Sequence, residues 1–240
     1  MRIDVALVEL GLCESRNKAA RLIESGKVTV DGRTVEKPSE KYEQGEIKIE
    51  YEKFVSRGGY KLERALDHFE INVSGLVALD IGASTGGFTD CLLQRGVKRV
   101  ICVDVGEDQL HCSLKNDPRV TSYEKMNARY LDESTFGEKF DVIVTDVSFI
   151  SQSLIYESVS KLLKDDGVFL SLIKPQFEVG KKNIGKNGIV KNEKAVLEAI
   201  VNLRTESERF GLKIVKTIES PILGGDGNKE YLALIKKLLR

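Results

Sequence analysis

The chain has 240 residues, enough for one large domain or two unequal ones with a substantial core. Its 37 lysines and arginines balance 37 aspartates and glutamates, so no global charge advertises a polyanionic partner and any basic surface must be local. No apolar run approaches the ~18 residues of a membrane span. The start, Met1-Arg2-Ile3-Asp4, also lacks the long apolar stretch of a secretory signal, so a cytoplasmic protein is expected.

Ile3, Val5-Ala6-Leu7-Val8 and Leu10 carry helical spacing and Gly11 ends the run, which predicts a short first helix. Ser15 stands where a cap belongs for a second helix, with Ala19, Ala20, Leu22 and Ile23 inward and Gly26 as its stop. Val28-Thr29-Val30, Asp31-Gly32 and Arg33-Thr34-Val35 read as a hairpin with a type I′ turn, and Ile47–Tyr51 alternates as a closing strand. From Ser15 to Lys41 seven basic residues face four acidic ones, an excess that suits either a solvated surface or a binding face.

The run Ser15-Arg16-Asn17-Lys18-Ala19-Ala20-Arg21-Leu22-Ile23-Glu24-Ser25-Gly26-Lys27-Val28-Thr29-Val30-Asp31-Gly32 resembles the S4 RNA-binding domain. Asp31 stands where many members of that domain carry Asn. The resemblance implies a small α+β S4 domain over residues 1–51, with Arg2, Ser15, Arg16, Lys18, Arg21, Lys27 and Arg33 facing RNA. Such cations position a phosphate backbone without reading its sequence.

Residues 52–59 lack periodicity and contain Gly58-Gly59, which predicts a linker before a larger domain over 60–240. A helix over Tyr60–His68 leads to the apolar run Leu76–Ile81, a buried parallel strand. Strand-like segments recur at Arg99–Val103, Phe140–Thr145, Val168–Ile173, Lys213–Ile218 and Tyr231–Ile235, with helix-length segments between most of them. That alternation predicts a doubly wound, Rossmann-like α/β sheet, whose last two strands form an antiparallel pair.

After the first of these strands come Gly82, Gly86 and Gly87, whose spacing misses the G-x-G-x-x-G of nicotinamide sites. The stretch Asp80-Ile81-Gly82-Ala83-Ser84-Thr85-Gly86-Gly87-Phe88-Thr89 instead resembles the first motif of Rossmann-type methyltransferases. It implies an S-adenosyl-L-methionine site built from Asp80, Gly82, Ser84, Gly86, Gly87 and Phe88, where Asp80 orients either the loop or the cofactor's amino group. Asp104 ends the second strand, where an acidic residue binds ribose hydroxyls, and Asn127 is a candidate for the adenine edge. A ligand-free strand–helix turn is the bland alternative.

Three further features have plain readings. Gly180–Asn187 approaches a nucleotide-triphosphate loop but ends in Asn187 instead of a hydroxyl residue, so it is a basic loop, solvated or touching RNA. Lys194–Phe210 is amphipathic and packs on the sheet. Cys13, Cys91, Cys102 and Cys112 show no metal-type pairing and lie in or beside apolar sequence, so buried reduced thiols and no required metal are expected.

Lys61, Asp146, Lys174 and Glu230 lie at the edges of predicted elements, and Asp146 and Lys174 end strands at the ligand-binding edge of such a sheet. An activated methyl donor needs an aligned attacking atom and a group to remove its proton. A lysine amine serves only when burial or a nearby cation lowers its proton affinity, and two lysines converging on one pocket, held by two carboxylates, would provide that. Lys174 is expected to activate a hydroxyl, Asp146 to orient it, and Lys61 and Glu230 to hold the substrate ribose and tune the pair. Phe149 reads either as a stacking face for an extruded base or as core packing after a strand.

The motifs Ser56-Arg57-Gly58-Gly59-Tyr60-Lys61-Leu62, Asp146-Val147-Ser148-Phe149-Ile150-Ser151 and Ile173-Lys174-Pro175-Gln176-Phe177-Glu178 complete the pattern. With the S4-like start, the chain resembles the TlyA family, hemolysin-like proteins similar to the FtsJ/RrmJ ribose methyltransferases. The resemblance implies 2′-O-methylation of cytidine in ribosomal RNA of the 16S or 23S kind, free or in ribosomal subunits, with Lys61, Asp146, Lys174 and Glu230 as the tetrad. A membrane-active hemolysin and a non-catalytic RNA-binding protein retaining the cofactor site are the alternatives.

Overall fold

The computed structural model describes residues 1–238, so the last two residues of the expected 60–240 domain lie outside the described residues. The chain forms two compact units, one spanning Met1–Lys53 and the other beginning at Phe54.

In the first unit α1 (Ile3–Glu9) and α2 (Arg16–Glu24) pack beside the antiparallel sheet β2-β1-β3, formed by β1 (Val28–Val30), β2 (Arg33–Thr34) and β3 (Ile47–Ile49). Ile3, Ala6, Leu7, Ala19, Ile23, Val28 and Val35 form its core. Ser15 caps α2 by accepting the Lys18 N–H at 3.3 Å. The hairpin turn has positive φ at both Asp31 (48°) and Gly32 (81°), as a type I′ turn requires. β3 stops two residues before the expected Tyr51, whose phenol instead donates to the Leu12 carbonyl at 2.7 Å.

The second unit is a three-layer α/β fold. Its elements are α3 (Gly58–His68), β4 (Val77–Ile81), α4 (Gly87–Gln94), β5 (Arg99–Val103), α5 (Cys112–Lys115), β6 (Val120–Tyr123), α6 (Glu133–Phe136), β7 (Phe140–Thr145), α7 (Tyr156–Leu162), β8 (Leu163–Ile173), α8 (Glu193–Arg209), β9 (Leu212–Glu219) and β10 (Tyr231–Lys237). The sheet order is β6-β5-β4-β7-β8-β10-β9. All neighbours are parallel except those of β10, which runs antiparallel to both β8 and β9. Alternate strand residues divide between two cores: Ala78, Val100, Val142 and Leu172 pack with Leu62 of α3 and Leu92 of α4, while Leu79, Ile101, Ile143 and Phe169 pack with Val159 of α7 and Leu203 of α8.

Two element starts and the burial of one cysteine differ from the sequence reading. α3 begins at Gly58, inside the segment expected to be linker; Phe54 is buried in the same core as Leu62 and Leu92, and the Val55 N–H donates to Asp90 at 2.7 Å. Close packing explains Gly59, because a Cβ there would fall 2.2 Å from Phe54 Cγ. β8 begins five residues ahead of the expected Val168, since Leu163 pairs with Phe140 across a bulge and the polar run Lys164-Asp165-Asp166 conceals the strand. Cys112 is exposed, unlike the other three cysteines, because α5 is a four-residue helix that buries only Leu114. No helix among the described residues is long and apolar enough to cross a membrane, and no group of three or more His, Cys, Asp or Glu side chains there could hold a metal.

Candidate active site

Register brings the expected site residues to one edge of the sheet. Ile81 pairs with both Val103 and Thr145, so the residues that follow, Gly82, Asp104 and Asp146, leave the sheet side by side. Tyr231 at the start of β10 pairs with Ile173 at the end of β8, so antiparallel β10 delivers Glu230 to the edge where Lys174 emerges. The strand order reverses between β4 and β7, the position where doubly wound sheets open a crevice.

A cavity of about 450 Å³ occupies that crevice, a size typical of small-molecule sites. Gly82, Ser84, Asp104 and Asn127 line it, together with Val105, Gln109, Met126 and Phe149. Asp104 accepts the Ser84 N–H at 2.8 Å on one oxygen and the Gly106 N–H at 2.7 Å on the other. Each oxygen keeps lone-pair capacity for a hydroxyl. Gly82 stands at φ 81°, and a Cβ there would come within 3.0 Å of the Asp146 carbonyl.

A second pocket adjoins the first, sharing Gly82, Ser84, Asp146 and Ser148 with it and adding Gly87, Phe88 and Lys174. Gly86 lines neither pocket; it caps α4 at φ 93°, and a Cβ would collide with Leu114 Cδ1 at 2.2 Å. Asp80 also lies outside both pockets. It is fully buried, accepts Thr89 Oγ1–H at 2.7 Å, and leaves Oδ1 unpartnered. Burial pushes its carboxyl up to about 7, against the pull of the Thr89 hydrogen bond. Its hydrogen bond thus ties the end of β4 to α4, on the far side of the glycine loop.

The tetrad divides into two ion pairs. Lys174 Nζ lies 2.5 Å from Asp146 Oδ1 and donates to Ser148 Oγ at 2.7 Å, facing the second pocket. Lys61 Nζ donates to Glu230 Oε2 at 2.5 Å, with both side chains almost wholly buried and lining neither pocket. Gly224 packs on that pair, since a Cβ there would approach Glu230 Oε1 to 2.6 Å. Phe149 is 88% exposed at φ 67° and packs only obliquely on Phe177, with ring centroids 5.3 Å apart. The core-packing reading of Phe149 is thereby corrected: the positive φ turns the residue out of the fold at the cavity wall.

The profile of the FtsJ-like methyltransferase family matches residues 54–237, and that of the S4 domain matches residues 1–47. The chain is 39% identical to the 16S/23S rRNA (cytidine-2'-O)-methyltransferase TlyA of Mycobacterium tuberculosis, over 98% of this chain and 89% of that one. This chain belongs to the TlyA family. It is also 41% identical to Hemolysin A of Brachyspira hyodysenteriae, over 97% of this chain and 98% of that one. A solved structure from Streptococcus thermophilus, which carries a hemolysin label, superposes with a TM-score of 0.77 at 41% identity, covering 99% of this chain and 88% of that one.

In this TlyA-family chain most basic residues of the S4 unit already have acidic partners. Arg2 and Arg16 both bind Asp4, each at 3.0 Å, and Arg2 foremost holds the Asp4 carboxyl below the usual carboxylate range. Lys18 pairs with Glu14 at 3.1 Å, Lys27 with Glu52, and Arg33 with Glu40 at 2.9 Å. Arg21 is exposed and has no ion pair among the described residues. The exposed pairs Lys18–Glu14 and Arg33–Glu40 contribute about 0–1 kcal/mol, so phosphates can replace those carboxylates at small cost, whereas Asp4 is buried and needs its arginines. Ser15 is spent on its helix cap.

Sequence reasoning missed Ser148, which touches Lys174; Val105, Gln109 and Met126, in the cavity wall; and Gly224, against Glu230. Ser148 sat in a recognised motif, and the pair Gly224-Gly225 ahead of Lys229-Glu230 was the available signal for the last.

Proposed function

We propose that the protein is an S-adenosyl-L-methionine-dependent 2′-O-methyltransferase acting on a cytidine ribose in ribosomal RNA, working in the cytoplasm on 16S or 23S RNA or the subunits that contain them. The observation that carries this reading is the continuity of the two pockets at Asp146 and Ser148, which sets a nucleoside-sized cavity beside Lys174. Membership of the TlyA family and the activity of the M. tuberculosis relative, a 16S/23S rRNA (cytidine-2'-O)-methyltransferase, support it.

The cavity residues fit the cofactor: Asp104 would hold the ribose hydroxyls, Val105 and Met126 would flank the flat base, and Asn127 would meet its edge. Bound there, the cofactor supplies a sulfonium-activated methyl group. The remaining chemistry belongs to the chain. Lys174 Nζ, fixed by Asp146 and Ser148, takes the proton of the ribose hydroxyl and must present its neutral amine at that moment. The buried Lys61–Glu230 pair fixes α3 to the start of β10 and holds the far wall of the site in shape. Phe149 offers an open ring for an unstacked base, and the basic residues of the S4 unit hold the RNA backbone.

The test combines labelled S-adenosylmethionine with wild-type protein or the Lys174→Ala variant and separated small and large ribosomal subunits lacking the modification. Label in an alkali-resistant dinucleotide, lost with the variant, is the expected result. Failure of the wild-type protein to label either subunit, despite measurable cofactor binding, overturns the reading.

A further inference from the structure

Two loops leave adjacent strands at the site, 146–152 after β7 and 174–178 after β8, and they are joined at three successive levels. Lys174 meets Asp146 and Ser148, Phe177 meets Phe149, and Glu178 meets the backbone and side chain beyond. At the third level Glu178 Oε1 accepts the Gln152 N–H at 2.9 Å and Oε2 accepts Ser151 Oγ–H at 2.7 Å. Nothing in the proposed chemistry uses Glu178, yet it is largely withdrawn from water, and burial raises its carboxyl above the usual range against both hydrogen bonds. A carboxylate kept there against its desolvation cost does more than solubilise.

The strain in the first loop shows what the clamp opposes. Phe149, a bulky residue, stands at φ 67°, a strained backbone region that persists only where its surroundings over-determine it. On one side Ser148 is held by Lys174; on the other, Ser151 and Gln152 are held by Glu178. We propose that Glu178 is a positioning residue for methyl transfer: its two hydrogen bonds lock loop 146–152 so that Phe149 faces the incoming nucleotide and Ser148 aims Lys174. The proposal rests on the ribose methyltransferase reading and adds to it how the substrate wall is held.

The chain contains no tryptophan, so Phe149→Trp places a single fluorescent reporter in the loop. In that background Glu178→Ala should lower the reporter's fluorescence anisotropy in the absence of RNA. Glu178→Gln should leave it unchanged, because the amide still accepts from Gln152 N–H and donates to Ser151 Oγ. In the native background Glu178→Ala should lower kcat/KM for the ribosomal substrate by about tenfold to a hundredfold. S-adenosylmethionine affinity should stay within about twofold, and Glu178→Gln should restore transfer. Unchanged anisotropy in Glu178→Ala overturns the proposal, as does a loosened loop with undiminished transfer. A wild-type protein that methylates no ribosomal RNA overturns the functional reading instead, and the anisotropy contrast then still reports the clamp.

Discussion

Lys174 and Asp80 show two ways a titratable group can serve one site. Lys174 sits at the junction of the pockets with two oxygens on its Nζ. Replacing it with Ala should lower methyl transfer about 10²–10⁴-fold, the usual worth of a positioned proton acceptor, with cofactor affinity retained in calorimetry. Arg at this position should not rescue, because a guanidinium cannot give up its proton. Asp80, buried beneath α4, has its folded carboxyl raised from 3.8 to about 7. The folded state therefore binds the proton more tightly than the unfolded chain. Its contribution to stability is fully present below about pH 4 and is lost as pH rises through about 7. Asp80→Asn, which keeps the neutral shape, should be near neutral at pH 4 and stabilising by up to about 4 kcal/mol at pH 8. Urea unfolding at the two pH values measures the difference, and equal effects at both would show that Asp80 titrates normally.

Among the elements, the turn between β4 and α4 is the most tightly determined. Gly86 combines a left-handed φ of 93° with leucine side chains where its Cβ would stand. Gly86→Ala incurs about 1–2 kcal/mol for the conformation and about 1–3 kcal/mol for overpacking. A total loss near 3 kcal/mol in denaturant unfolding is the expected outcome, and a loss below 1 kcal/mol would mean that α5 moves aside freely. This turn was legible in the chain because its constraints are local: an apolar strand, then glycines at fixed offsets. The start of α3 was not legible, since only the packing of Phe54 against Gly59 explains a glycine in its first turn. The start of β8 was hidden by Lys164-Asp165-Asp166 for the same reason, a polar run made strand-like by the neighbour it pairs with. Likewise nothing periodic joins Lys61 to Glu230, 169 residues later, and the sequence grouped the two with Asp146 and Lys174 without pairing them. The exposure of Phe149 escaped because a φ sign is not written in residue type.

For the whole molecule, zero net charge leaves RNA binding to exchange instead of attraction at a distance. Most basic residues of the S4 unit sit on carboxylates, so each phosphate contact there releases an acidic partner as well as a counterion. Arg21 has no such partner to displace. It is therefore the residue whose removal should give the cleanest electrostatic signature. Binding of ribosomal RNA measured from low to moderate salt should show a slope of log affinity against log salt that falls by about 1 in Arg21→Ala, with affinity reduced evenly across RNA sequences. Ser15→Ala should behave differently. It should cost about 1 kcal/mol of stability through the lost helix cap and leave the salt slope of the folded protein unchanged. If Ser15→Ala changed the slope and Arg21→Ala did not, the RNA would lie on the other side of α2 from Arg21, and the S4 resemblance would have misassigned the contact face.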